Sequence, residues 1–233
     1  MIRAAVAMAG VAGALAGSLA GSAAGSAAAA PGAAGSKPPG PGHHTPAGLA
    51  LAQSALLRRA DLGRGWSEQS PPPAKPPNLT CPAFNPRVPG AVETGVAASP
   101  TFRASAQGPF VSETAHAYAT ATQERAVWRH IARPHLLRCA AESLRRGGGS
   151  RVRFTVTAKR LLTLPPLPAP ARGYRVSGTA STAYQTIDVF LDLFVVGRGQ
   201  TIAAIVLSSF EQPPRRGLEL RLLRTVARRM SPS

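Results

Sequence analysis

The chain has 233 residues, with 27 Lys+Arg against 10 Asp+Glu, a formal net charge of +17, and only 5% aromatic residues. That length excludes two large domains, and a hydrophobic fraction of 44% excludes a fully disordered chain. All but three of the basic residues are arginine; since Arg, Ala, Gly and Pro share GC-rich codons, coding bias accounts for part of the charge.

Residues 1–30 read as a signal peptide. Met1-Ile2-Arg3 is a short positive start, Ala4 to Ala20 carries no charge, and Ala-x-Ala-like sites precede Pro31. The alternative is a retained N-terminal helix. The expected destination is therefore secreted or extracytoplasmic. No cysteine stands near the cleavage region for a lipid anchor, and no later stretch approaches the apolar length of a membrane span. Residues 31–45 form a Pro/Gly-rich linker that cannot bury a core; His43-His44 lies in it and reads as a solvated pair rather than a metal site. Residues 46–233 are expected to form one domain.

Thr45-Pro46 signals a helix start, a hydroxyl cap followed by Pro at the first helical position. Leu49, Leu51, Ala52, Ala55, Leu56 and Leu57 give an apolar stripe ending near Arg58-Arg59, and Gly63 supplies a stop. Gly63-Arg64-Gly65-Trp66 is no dinucleotide loop, because no strand precedes it; Trp66 reads as a core plug. Residues 67–100 are dense in Pro, Ser, Asn and Gly and read as irregular loop, with a formal glycosylation sequon at Asn78-Leu79-Thr80.

From 109 to 119, Phe110, Ser112, Thr114, His116 and Tyr118 alternate with Val111, Glu113, Ala115 and Ala117, as in a strand. Thr120 with Gln123 resembles a capping box. A long helix is expected from Ala121 to Arg146, burying Val127, Trp128, Ile131, Leu136, Leu137, Ala140 and Leu144 and kinked or interrupted at Pro134. Arg125, Arg129 and Arg133 form a row of like charge on it, read as a solvated face. Beyond Gly147-Gly148-Gly149, Val152, Phe154 and Val156 mark a strand, Thr163 to Ala171 an extended Pro-rich connector, and Tyr174, Val176, Gly178 and Ala180 another strand. Ile187 to Val196 alternates most strongly, turns at Gly197-Arg198-Gly199-Gln200 and returns over Thr201 to Phe210. Pro213-Pro214 opens a final amphipathic helix: Leu218, Leu222, Leu223, Val226 and Met230 face one way, Arg215, Arg216, Arg221, Arg224, Arg228 and Arg229 the other. This order predicts an α+β fold, a largely antiparallel sheet of about four to five strands packed against a long central helix and a C-terminal helix.

Cys81 and Cys139 are an even pair in an exported chain and are expected to form a disulfide. Closing the loop between them is worth roughly 4 kcal/mol in chain-entropy terms, and two free thiols in the non-reduced protein would exclude it. A metal or nucleophilic site from His130, His135 and Cys139 is the competing reading; it lacks an obvious fourth ligand and any local protease motif.

The segment Tyr118-Ala119-Thr120 running into Ala121 to Trp128, a cysteine farther along the same helix, and a hairpin that ends in a C-terminal helix resemble the extracellular sensor domains of PknH-type receptor kinases and related small secreted lipoproteins of actinobacteria. The resemblance covers residues 50–230 in layout. It departs from that family in lacking a kinase domain, a membrane helix, a lipid-attachment cysteine and a second disulfide. It implies a binding or sensing domain with a cleft between sheet and helices.

No complete catalytic constellation is present: no Gly-x-Ser-x-Gly, no HExxH and no phosphate loop. Asp188 and Asp192 share a strand face but stand about 13 Å apart by strand rise, too far for a glycosidase pair. With Phe190 and Phe194 they are candidates for lining a ligand pocket; the alternative is that the phenylalanines pack under the long helix and the acids pair with arginines. No catalytic residue, metal site or cofactor is expected. The functional expectation is a secreted, non-enzymatic binding or sensing domain of the cell envelope. Alternatives are a peripheral protein adhering to anionic lipid or cell-wall polymer through its basic surface, and an uncharacterised hydrolase. Export removes nucleic acid as a physiological partner.

Overall fold

The computed structural model describes residues 44–70, 88–146 and 152–230. The signal peptide, nearly all of the linker, the sequon, Cys81 and the triple glycine lie outside the described residues. The elements in chain order are α1 (Pro46–Ala55), α2 (Arg59–Leu62), β1 (Ser67–Ser70), β2 (Glu93–Ala98), β3 (Thr101–Arg103), β4 (Phe110–Tyr118), α3 (Ala121–Ile131), α4 (Pro134–Arg146), β5 (Arg153–Leu162), β6 (Ala171–Ser181), β7 (Thr186–Arg198), β8 (Thr201–Phe210) and α5 (Arg216–Arg229).

The eight strands form one sheet in the order β1-β3-β4-β8-β7-β6-β5, with β2 also pairing on β4, and every pairing is antiparallel. β5 to β8 are successive hairpins; β4 lies against β8 on one edge and shares its other edge between β3 and β2. The antiparallel α+β expectation holds, but the strand count exceeds it. Two of the additional strands, β1 and β2, fall within residues 67–100, which the sequence presents as loop, and β3 follows directly at Thr101. β1 is entirely polar (SEQS) and β3 has three residues. Such segments acquire strand geometry from the ladder they join, not from their own pattern.

Both sheet faces are covered, which explains why β4 and β8 are buried at every position. One face packs against α3 and α4: Val127, Ile131, Leu136, Ala140 and Leu144 meet Tyr174, Val176, Leu191 and Val195. The other is covered by α1, α2 and α5: Ala52, Leu62, Leu222, Leu223 and Val226 meet Val111, Phe194, Val196 and Ile205. The apolar stripe of the C-terminal helix is thus consumed by the core.

The expected single long helix is two helices. α3 ends at Ile131 and Pro134 opens α4, consistent with a residue that lacks an N–H and cannot continue a helix but suits its first turn. At α1, Thr45 Oγ1 accepts the Gly48 N–H at 3.0 Å, as the cap reading requires. The apolar stripe beyond it is broken: α1 stops at Ala55, and α2 ends at Gly63 with φ of 89°, a conformation open to glycine at little cost. Trp66 sits in the core at 7% exposure.

Candidate functional site

β4 ends at Tyr118, and Thr120 immediately caps α3, its Oγ1 accepting the Gln123 N–H at 3.2 Å. The Gln123 side chain does not close the capping box; it spans to the loop before β2, donating to Gly90 O and accepting from Val92 N–H. The tip of the β7–β8 hairpin is tied to this junction. Tyr118 N–H donates to Gln200 O at 2.8 Å, and Gln200 Nε2 donates to Ala119 O at 2.8 Å. The Pro-rich connector joins from the other side, where Gly197 N–H donates to Pro170 O at 3.0 Å.

These three pieces enclose a cleft of about 690 Å³ lined by the first turns of α3 (Glu124, Arg125, Trp128, Arg129), by Pro170 and by Gly197 and Arg198 of the hairpin. That volume suits a small ligand. Gly197 forms the floor. A Cβ there would overlap the Glu124 carboxylate and lie 2.8 Å from Trp128 Cγ, so the close approach of helix to strand requires glycine.

Glu124 is 2% exposed, and its carboxyl group makes no hydrogen bond or ion pair among the described residues. Burial pushes it up to about 7, against the pull of the Arg125 guanidinium. The Trp128 Nε1–H is buried without a partner. Arg125, Arg129 and Arg198 make no ion pair among the described residues, although the Arg125 charge acts on Glu124. Arg129 Nε donates to Arg125 O, and Arg198 Nη1 to Ala227 O near the end of α5 at 3.2 Å.

The residues expected to line a pocket are placed elsewhere. Asp188 is exposed and Phe190 half-buried, whereas Asp192 and Phe194 are 0% exposed. All four lie on the α5 side of β7, so Phe194 packs under α5 rather than under the α3–α4 layer. Asp192 accepts two hydrogen bonds from Arg175 at 2.5 Å each, and Arg175 Nη2 also donates to Glu219 Oε1 at 2.7 Å. Burial raises the Asp192 carboxyl above its ordinary value against the pull of that guanidinium fork. Asp192 and Phe194 are therefore closed off from solvent, while Asp188 and Phe190 keep accessible surface.

On α4, His135 is exposed and Cys139 is 0% exposed, so the two do not converge. Among the described residues no group of three or more His, Cys, Asp or Glu side chains is arranged to hold a metal ion. His116 is wholly buried, with Nδ1 2.9 Å from Glu93 Oε2, and His44 Nε2 is 3.2 Å from Glu93 Oε1. Burial pushes Glu93 up, but the hydrogen bonds with His116 and His44 bring its carboxyl below the ordinary value. This is an acid-oriented imidazole, and among the described residues His116 Nε2 has no partner.

The sequence hides the cleft. Arg125 and Arg129 read as part of a solvated row and Trp128 as core, while Glu124 has no motif at all. The one local hint is a lone acid among helix arginines, one turn before a tryptophan. Nothing local indicates that a hairpin tip closes over it.

No protein-family profile matches the chain, and no curated protein matches it. Among solved structures the chain is similar to the crystal structure of the extracellular domain of PknH from Mycobacterium tuberculosis, with a TM-score of 0.41 and 11% identity, over 80% of this chain and 98% of that one. At that level the likeness is a weak structural resemblance.

Proposed function

We propose that this chain is an exported, non-enzymatic binding domain of the cell envelope whose ligand occupies the cleft between α3 and the β7–β8 hairpin. The observation that carries this reading is Glu124, a carboxyl group at 2% residue exposure with no hydrogen-bond partner among the described residues, beside a cleft of ligand size. A carboxyl group that the fold leaves without a protein partner at the edge of a cleft is available to a ligand. A screen of small molecules by Trp128 fluorescence tests it. Ligands are expected to shift the emission of the wild type and to lose binding, measured by calorimetry, in a Trp128→Ala variant that melting curves show to be folded. Binding that survives Trp128→Ala and Glu124→Ala together places the ligand elsewhere and overturns the reading.

A second reading is adhesion to anionic lipid or cell-wall polymer. Its support is the exposed row Arg215, Arg221, Arg224 and Arg228 on and beside α5. Because the apolar face of α5 is buried, such adhesion would be electrostatic, without helix insertion.

A further inference from the structure

This inference rests on the cleft reading above and specifies its ligand. With Glu124 in its acid form, donors outnumber acceptors among the side chains around the cleft. The donors include the guanidinium N–H groups of Arg125, Arg129 and Arg198 and the Glu124 carboxyl O–H. A donor-rich surround is complementary to acceptors that bring charge, and three guanidinium groups that make no ion pair among the described residues favour an anion. Trp128 adds an apolar ring beside them.

We infer that the cleft takes an oxyanion, a carboxylate or phosphate carried on an apolar body, and that Glu124 binds it as the neutral acid, so that ligand and proton are taken up together. An ionised Glu124 would place a second negative charge beside the ligand in an enclosed site, where like charges repel strongly. The charged and titratable groups facing Glu124 come from three elements. Arg125 and Arg129 stand on its own helix and Arg198 on β7. Tyr118 stands at the end of β4, with its hydroxyl held neutral by burial and by the nearby carboxylates. Burial pushes the Glu124 carboxyl up to about 7, inside the range between pH 6 and pH 9 used in the test below.

Titration calorimetry with sodium benzoate, which stays ionised throughout this range, tests the inference in two buffers of different ionisation enthalpy. Phenyl phosphate separates carboxylate from phosphate as the preferred head group. Benzyl alcohol and benzylamine are the neutral and cationic counterparts. The expected result is that one or both anions bind at pH 6, that affinity falls about tenfold per pH unit above pH 7, and that nearly one proton is taken up per anion at pH 8. Glu124→Gln, which keeps an N–H donor in place, is expected to bind at pH 6 within a few-fold of the wild type and to lose both the pH dependence and the proton uptake. Arg198→Gln is expected to weaken binding about tenfold while leaving the pH dependence intact. Melting curves at pH 6 establish that each variant is folded. Anion binding that is independent of pH, or whose pH dependence persists in Glu124→Gln, overturns the inference. If benzyl alcohol or benzylamine binds and neither anion does, the ligand class is wrong while the cleft reading stands. If none of the four binds, both fall.

Discussion

Glu113 stands in the middle of β4 at 1% exposure, with one carboxyl oxygen accepting the Leu57 N–H at 2.6 Å and the other without a partner. Burial pushes its carboxyl up to about 8, although the Leu57 hydrogen bond and Arg229 act in the opposite direction. Between the ordinary value of 4.5 and about 8 the folded state therefore holds a proton that the unfolded state has released. Stability falls as pH rises through that window, because the native state binds more protons. Glu113→Gln keeps an acceptor for Leu57 and removes the titration. We expect it to match the wild type at pH 5 and to exceed it by about 1–3 kcal/mol at pH 8 in urea unfolding. Equal stability at both pH values would mean that Glu113 is ionised in the folded protein. The alternation of residues 110–118 reveals a strand at this residue, but a period of two cannot reveal that both faces are covered. For the same reason a buried glutamate here is invisible to sequence reasoning.

At the scale of elements, α5 is held by more than its apolar stripe. Arg175 on β6 bonds Asp192 on β7 and Glu219 on α5, and Glu219 also pairs with Arg216 at 2.9 Å. Arg216 in turn donates to Thr163 O in the Pro-rich connector. Two acids and two arginines thus bind sheet, helix and connector together. Removing one member of a buried ionic cluster leaves uncompensated charge, so Arg175→Met is expected to cost about 3–5 kcal/mol. Combining it with Asp192→Leu is expected to recover most of that loss, since Glu219 keeps Arg216. The midpoint of urea unfolding measures both; a single variant that loses less than about 1 kcal/mol would remove the cluster from the account of α5. Pairing of Asp192 with an arginine was legible as the alternative to a pocket. Which arginine, and the involvement of Glu219, was not, because the partners lie 17 and 44 residues from Arg175 to either acid.

For the whole molecule, the formal charge of +17 now has a geometry. Arginines lie on the exposed faces of α3 and α5, and the apolar faces of those helices are spent on opposite sides of one sheet. No helix among the described residues is long and apolar enough to cross a membrane. Sedimentation with vesicles containing phosphatidylglycerol is expected at low ionic strength and to disappear at roughly 0.5 M salt, where the Debye length is only a few Å. Retention at high salt would indicate inserted apolar surface and would contradict the burial of the α5 stripe. Cys139 lies in the core at 0% exposure, and Cys81, its expected partner, lies outside the described residues.

Elements with strong local signals were determined by the sequence itself: the Thr45-Pro46 helix start, the interruption at Pro134, the β7–β8 hairpin around Gly199, and the amphipathic C-terminal helix. Each rests on the conformational limits of individual residues or on a period of 2 or 3.6 that side-chain geometry imposes. Tertiary structure alone decided the polar strand β1, the three-residue strand β3, the burial of both faces of β4, and the cleft at Glu124. Those depend on hydrogen-bond ladders and packing between segments far apart in the chain. Glu124 becomes a candidate binding group because a glycine some seventy residues later lets a hairpin close over it, and no local pattern in the sequence encodes that approach.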